Sequence, residues 1–496
     1  MAENFVIGLD SSTQMTKAVA WSKSGNALGE GRAPITMERP REGWFEQDPE
    51  NWWSSACDAI RQLGETVDLA NAAAISVSNQ RETIGFFEAN GAPSRRAMVW
   101  LDERSACLMH EFADRIGAEK LHAITGKPVD VTPPLYRLEW MRHHEPQAFA
   151  KSSAILDVNA YLTRCLTGHA ISSWTSADPS GIFDLASKRW STDVLEALGL
   201  TDASFAKTVA PGSETGKITS SAAKATGLAE GTPVFAGGGD GQCAGLGSNA
   251  ARRGTAYLNL GTAIITGAWD KKPLISKSWR TMSSPTGDGY FLEGVLRAGT
   301  FFIDWFVQNV VRGASDTATF AELTDAATAV PIGSQGLLVS PYLSGCMNPH
   351  WSMHARAAFF GMTPEHGPGH LYRSVLEALT GEIARSVHDM QSEGVEIEEI
   401  VAVGGGSASE LWLQMIADAS GLPVKISNSL EASSLGAGIT AAVGLGWYPD
   451  FDSAAAAMTS TCNAQSPRPE TRMAWDALLS QQEALNRVVV EHSRSR

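Results

Sequence analysis

A polar turn between two apolar strands occurs once in each half of this chain, and no other feature restricts the possible folds as much. Residues 5–9 (FVIGL) form a short apolar run that stops at Asp10, 11–16 (SSTQMT) are of turn type, and 17–21 (KAVAW) resume a strand. The pattern returns as TAYLNL at 255–260, then Gly261 and Thr262, then AIITG at 263–267. Thr13 and Thr262 fall at equivalent turns, so the period suits two similar halves. A chain of 496 residues also exceeds what one hydrophobic core organises. Two domains, 1–248 and 249–496, are therefore expected, joined near 247–253 where Gly, Ser and Asn gather.

Between the hairpins, strand and helix signals alternate. Asp48, Pro49 and Glu50 supply a cap, a first-turn proline and a first-turn acid ahead of Trp52, Trp53 and Ala56. Three apolar runs end in polar or glycine clusters: 73–78 into Asn79-Gln80-Arg81-Glu82, 233–236 into Gly237-Gly238-Gly239-Asp240, and 400–403 into Gly404-Gly405-Gly406. A helix is expected from about Ser409 to Ser420. Strands that end this way and give way to helices describe an α/β protein, in which ligands bind at the carboxyl ends of strands.

Composition removes several function classes. Hydrophobic residues make up 43% and charged residues 19%, a globular balance, and the net charge is −15 with no long basic run. Nucleic acid and anionic membranes are accordingly not expected partners. The six cysteines are scattered without a CxxC pair, which fits a reducing compartment and argues against a zinc cluster. The first residues read as a strand and no apolar run reaches membrane-spanning length, so a cytoplasmic protein is expected.

Four stretches carry chemistry. The first turn gathers Asp10, Ser11, Ser12, Thr13 and Lys17: a carboxylate suited to hydrated Mg²⁺, hydroxyl and backbone donors for phosphate, and a cation. Asp240 lies between glycines that leave room for a ligand, either as a base for a substrate hydroxyl or as an ordinary helix cap. Arg81 and Glu82 pair a planar donor with an acceptor, which together can hold vicinal hydroxyls or form a surface ion pair. Gly404 to Gly406 do not match the dinucleotide fingerprint, and the nearest P-loop candidate, 212–218, is one residue short and lacks the Ser/Thr after its lysine. The i,i+4 pairs His350/His354 and His366/His370 lack a third ligand and are not read as a metal site.

Taken together, VIGLDSSTQMTKAVAW, GWFEQDPENWW, SNQRETIGFFEANG, VWLDER, YLTRCLTGHA, DPSGIFDLASKRWS and GGGDGQCAGLG resemble, in order, the FGGY family of carbohydrate kinases. LNLGTAIITGAW, PYLSGCMNPHWSMHAR, VLEALTGEIARSV, VGGGSASELWLQMIADASGLPV and SSLGAGITAAVGLG extend the resemblance over nearly the whole chain. It implies two actin-like (ribonuclease H-like) domains with an active-site cleft between them, ATP with Mg²⁺ bound mainly by the second, and a polyol or ketose mainly by the first. By that resemblance Asp240 is the catalytic base, and Asp10 lies near Mg²⁺, through water. Thr13 and Lys17 belong to the first phosphate loop, and Gly261 and Thr262 to the second. Gly404, Gly405, Gly406 and Ser409 hold the nucleotide. Arg81, Glu82, Trp100 and Asp240 bind the acceptor, with Asp102 and Arg104 completing a W-x-D-x-R spacing.

The acceptor signals are mixed. PYLSG, the LTG segment and GWFEQDPE resemble xylulokinases, whereas Arg81-Glu82 resembles the pair of glycerol kinases; Ser12 and Thr132 depart from the family pattern. The expected activity is ATP-dependent phosphorylation of a primary hydroxyl of a ketopentose, xylulose first. The alternatives are a kinase of a short polyol such as glycerol, a tetritol or a pentitol, and an actin-fold ATPase without a sugar acceptor. The expected partner is a small-molecule sugar or polyol, and a homodimer is allowed for.

Overall fold

The protein is described by a computed structural model covering residues 4–494. The strands used below are β1 (Phe5–Ser11), β2 (Met15–Trp21), β3 (Ala27–Pro34), β4 (Ala72–Asn79), β5 (Glu214–Lys217) and β6 (Pro233–Gly239) in the first half. The second half carries β7 (Gly254–Leu260), β8 (Ile264–Asp270), β9 (Arg280–Ser283), β10 (Tyr290–Leu296), β11 (Ile397–Val403), β12 (Val424–Ser427) and β13 (Thr461–Gln465). The helices used are α1 (Pro49–Leu63), α2 (Asp240–Gly247), α3 (Glu410–Ser420) and α4 (Ala432–Gly444).

The repeat that the two turns suggest is written into the sheets. The first sheet runs β5-β6-β4-β1-β2-β3, and the second, read from its far edge, runs β13-β12-β11-β7-β8-β10-β9. Strand sense matches position by position. β1 is antiparallel to β2 and parallel to β4, as β7 is antiparallel to β8 and parallel to β11. β6 lies parallel to β4 and antiparallel to β5, as β12 lies parallel to β11 and antiparallel to β13. Among the described residues, β9 alone has no counterpart in the first sheet.

Burial explains these choices. β1 is buried on both faces, as its unbroken apolar run requires of a strand inside a parallel sheet. Phe5, Ile7 and Leu9 face a core completed by Trp52, Ala56 and Ile60 of α1, whose cap at Asp48 accepts from the Glu50 N–H as the sequence predicts. Val6, on the opposite face, joins Trp21, Phe235, Phe291, Val401 and Leu435 in a core built by both halves. α4 therefore covers the first sheet although it belongs to the second half. Its Ser434 hydroxyl donates to the Gly8 carbonyl at 2.8 Å and accepts from the Trp21 indole at 3.1 Å.

The extra strand β9 has a purpose visible in its backbone. An edge strand presents unpaired N–H and C=O groups that a stable fold must cover. Here the first half covers them: Thr281 donates to Gly126 O at 2.9 Å and accepts from Lys127 Nζ at 2.8 Å, while the Ser283 N–H donates to Asp178 Oδ2 at 2.5 Å. Lys127 and Asp178 also pair with each other in the interior. Among the described residues no helix is long and apolar enough to cross a membrane, and all six cysteines are unpaired.

Candidate active site

Three carboxyl ends of adjacent parallel strands meet at one place. β1 delivers Asp10, β4 runs through Ser78 to Arg81 and Glu82, and β6 ends at Gly239 with Asp240 next. In register, Asp10 stands opposite Lys17 on one side and Ser78 on the other, and the Ser78 hydroxyl donates to Asp10 Oδ1 at 2.7 Å. Asp10 is 6% exposed. Burial, with the Asp240 charge adding to it, pushes its carboxyl from 3.8 up to about 7. A carboxylate whose ionised form is disfavoured by burial, and further by a second carboxylate nearby, is relieved by a hard divalent cation, so Asp10 fits Mg²⁺ that keeps most of its ligands as water.

Asp240 is not a helix cap. Gly239 holds the cap position and Asp240 is the first helical residue of α2, its Oδ1 accepting from the Gly241 N–H at 2.8 Å. Arg81 Nε lies 3.2 Å from the same oxygen, a charge contact without hydrogen-bond geometry. Burial raises the Asp240 carboxyl, and Arg81 opposes it. At 39% exposure the Asp240 side chain is the open member of this group.

The flanking glycines serve a different purpose from the one the sequence suggests. A Cβ at Gly239 would sit 2.5 Å from Arg81 Cγ, and one at Gly241 would sit 2.9 Å from Arg81 Nη2 and 3.1 Å from Glu293 Oε2. The room they leave is filled by this protein's own side chains rather than by a ligand.

Arg81 and Glu82 are likewise not a surface pair. Both are buried, and each is engaged by the second half: Arg81 Nη1 donates to Glu293 Oε2 at 2.8 Å, and Arg280 Nη1 donates to Glu82 Oε1 at 2.6 Å. Arg280 also pairs with Glu293, closing the chain of charges. Although burial pushes the fully buried Glu293 up, the two arginines hold it down at about 2. Glu82 goes the other way, because burial outweighs its arginines. Glu82 adopts φ 58°, the left-handed region, and its carbonyl accepts from Arg137.

The first turn is fixed by first-half polar groups. The Trp100 indole donates to Thr13 Oγ1 at 2.9 Å, and Gln47 Nε2 donates to the Thr13 carbonyl at 2.6 Å. Gln80 Nε2 in turn donates to Gln47 Oε1 at 2.9 Å. Lys17 is paired with Glu431 at 2.6 Å, and Glu431 also takes Arg32 at 3.0 Å. Arg104 pairs with both Asp102 and Glu46, its guanidinium 3.8 Å from the Trp44 ring, so Asp102 and Arg104 brace the wall of the site. Thr132 is buried against Asp130, whose other oxygen is 3.2 Å from Arg297.

In the second half, Asn259 of β7 is in register with Val403 of β11, so the turn at Gly261 and Thr262 lies beside the turn at Gly404, Gly405 and Gly406. Gly404 takes φ 86°, and a Cβ there would meet Asn259 Oδ1 at 2.6 Å. Only glycine permits that approach. Ser409 caps α3, its hydroxyl accepting from the Trp412 N–H at 3.3 Å. The head of α4 links the two ends: Ser433 Oγ donates to the Asp240 carbonyl at 3.1 Å. No cluster of metal-type ligands occurs among the described residues, the histidine pairs included.

Sequence reasoning missed Ser78, Gln47, Gln80, Glu431, Arg280 and Glu293. The last had a signal, since a lone carboxylate in the apolar run YFLEGVL is costly unless paired.

Residues 5–247 match the N-terminal domain of the FGGY family of carbohydrate kinases, and residues 256–445 its C-terminal domain. The chain belongs to that family and is a carbohydrate kinase. It is 27% identical to a xylulose kinase of Staphylococcus epidermidis over 98% of this chain and 97% of that one. It is also 27% identical to a glycerol kinase of Rippkaea orientalis over 90% of this chain and 91% of that one. The solved gluconate kinase of Lactobacillus acidophilus shares the fold at a TM-score of 0.93, with 22% identity over 99% of each chain.

Proposed function

We propose that this kinase transfers the γ-phosphoryl group of ATP to a primary hydroxyl of a neutral ketopentose, xylulose first, with Asp240 as the base. One observation supports this reading most: every arginine near Asp240 is already matched. Arg81 and Arg280 face Glu82, Glu293 and Asp240, so the group carries one excess negative charge. An aldonate such as gluconate would find no unmatched cation there, whereas a neutral sugar binds through hydroxyls. The xylulose kinase relatives favour a pentulose. The glycerol kinase relative makes a short polyol the second reading.

In the proposed reaction, Asp240 accepts the proton of the attacking hydroxyl while Arg81 holds its carboxylate in place. The backbone of Gly261, Thr262, Gly404, Gly405 and Gly406 cradles the nucleotide, with Ser409 supporting that turn, and Thr13 and Lys17 meet the transferred group. Asp10 is the residue that would hold Mg²⁺, whose charge would offset that of the phosphates. We assign 1–248 to the acceptor and 249–496 to the nucleotide, and place the protein in a reducing cytoplasm on its unpaired cysteines. A coupled ADP assay across xylulose, other pentuloses, pentitols, tetritols, glycerol and gluconate tests the reading. Turnover on a neutral pentulose above all others is expected. Preference for gluconate, or ADP release indifferent to every acceptor, would overturn it.

A further inference from the structure

We propose that Arg280 and Glu293, carried on the β9–β10 hairpin of the second half, are positioning residues of the acceptor site: Glu293 fixes Arg81 against Asp240, and Arg280 fixes Glu82. This rests on the reading that the acceptor meets Asp240. The charges form one continuous chain, Glu82–Arg280 at 2.6 Å, Arg280–Glu293, Glu293–Arg81 at 2.8 Å and Arg81–Asp240 at 3.2 Å. It starts on the first half, crosses to the second and returns to the first. Among the described residues, the one ion pair that Arg81 or Glu82 makes within the first half is the contact of Arg81 with Asp240; their close pairs otherwise come from β9 and β10.

A role in stability alone explains this poorly. Burying charges costs solvation that ion pairing seldom returns in full, and a packed apolar pair fills such a space as well or better. The network is also incompletely satisfied, since Nε of both Arg81 and Arg280 has no hydrogen bond among the described residues. Buried donors left open in a native fold call for an explanation. A network kept for geometry supplies one: Glu293 anchors an Nη of each guanidinium, which leaves the other Nη contact of Arg280 for Glu82 and the unbonded Nε of Arg81 facing Asp240. The acceptor site is then complete only with the β9–β10 hairpin seated on the first half, as the contacts of Thr281 and Ser283 hold it.

The test compares the wild type with E293Q and R280Q, using the acceptor that the wild type phosphorylates best. Each variant is expected to raise the acceptor KM about tenfold or more while the ATP KM stays within about twofold. The rise in Tm that acceptor gives the wild type should vanish, and the rise given by ADP should persist. R280K, which keeps the charge but loses the fork, serves if R280Q does not fold, and is expected to leave the acceptor KM raised. Equal changes in both KM values, no change in either, or full recovery by R280K would overturn the proposal. Absence of any acceptor-induced rise in the wild type itself would instead overturn the placement of the acceptor at Asp240.

Discussion

Lys17 Nζ lies 2.6 Å from Glu431 Oε2, so the cation of the first phosphate turn is tied to the residue that precedes α4 in the other half. A lysine that is to meet a phosphate must leave this carboxylate. Both side chains keep some exposure, 25% and 17%, so the pair is worth little, on the order of 1 kcal/mol or less. Glu431→Gln should therefore lower the ATP KM by about two- to fivefold, and Lys17→Ala should raise it by about tenfold or more. Nucleotide titrations at fixed acceptor check both. A higher ATP KM in Glu431→Gln would mean that Glu431 presents Lys17 to the phosphate rather than withholding it.

A second prediction follows from Asp10. Its carboxyl sits at about 7 in the fold against an ordinary 3.8. A raised carboxyl favours the folded state when protonated, so its contribution is full at low pH and is lost as pH rises from 3.8 to about 7. Asp10→Asn should make the ligand-free protein more heat-stable than the wild type at pH 8, by roughly 2 °C or more, with the difference gone at pH 4. Mg²⁺ should raise the wild-type Tm more at pH 8 than at pH 5.5 and leave Asp10→Asn unmoved. An equal Mg²⁺ response in both proteins would remove Asp10 from the cation site.

A third concerns Arg81. Arg81→Ala leaves Glu293 buried with Arg280 as its remaining partner and frees Asp240 from its nearest cation. The loss of a buried, hydrogen-bonded charge commonly costs about 2–5 kcal/mol. Part should appear as a lowered Tm and part as a kcat/KM for acceptor reduced by tens- to thousands-fold, with ADP affinity nearly intact. Calorimetric ADP titration beside steady-state kinetics separates the two. Collapse of ADP affinity with an unchanged acceptor KM would contradict the assignment.

The sequence made the layout legible because the layout is local. The apolar run into Asp10, the cap at Asp48 and Pro49, and the glycine turn after Val403 are each decided by a few adjacent residues. The two equivalent turns at Thr13 and Thr262 stand in sheets of matching order. What stayed hidden depends on partners distant in sequence. Gly239 and Gly241 read as space for a ligand because nothing nearby in sequence announces that Arg81 and Glu293 fill it. Arg81 and Glu82 read as free for a polyol because their partners lie 212 and 198 residues away, on a hairpin whose docking only the fold reveals. Lys17 is the same case, with its carboxylate 414 residues on.

The central claim is that Asp240 accepts the proton of the acceptor hydroxyl. Its exposure beside buried neighbours, and its place at the end of β6 next to Asp10, support that reading. Asp240→Asn preserves shape and hydrogen bonding but removes proton acceptance. Measured under saturating ATP and acceptor, kcat of this variant should fall by about 10²–10⁴-fold, the usual worth of a general base, with Tm and ADP affinity near those of the wild type. A folded Asp240→Asn enzyme with kcat close to wild type would contradict the account and send the search for the base elsewhere.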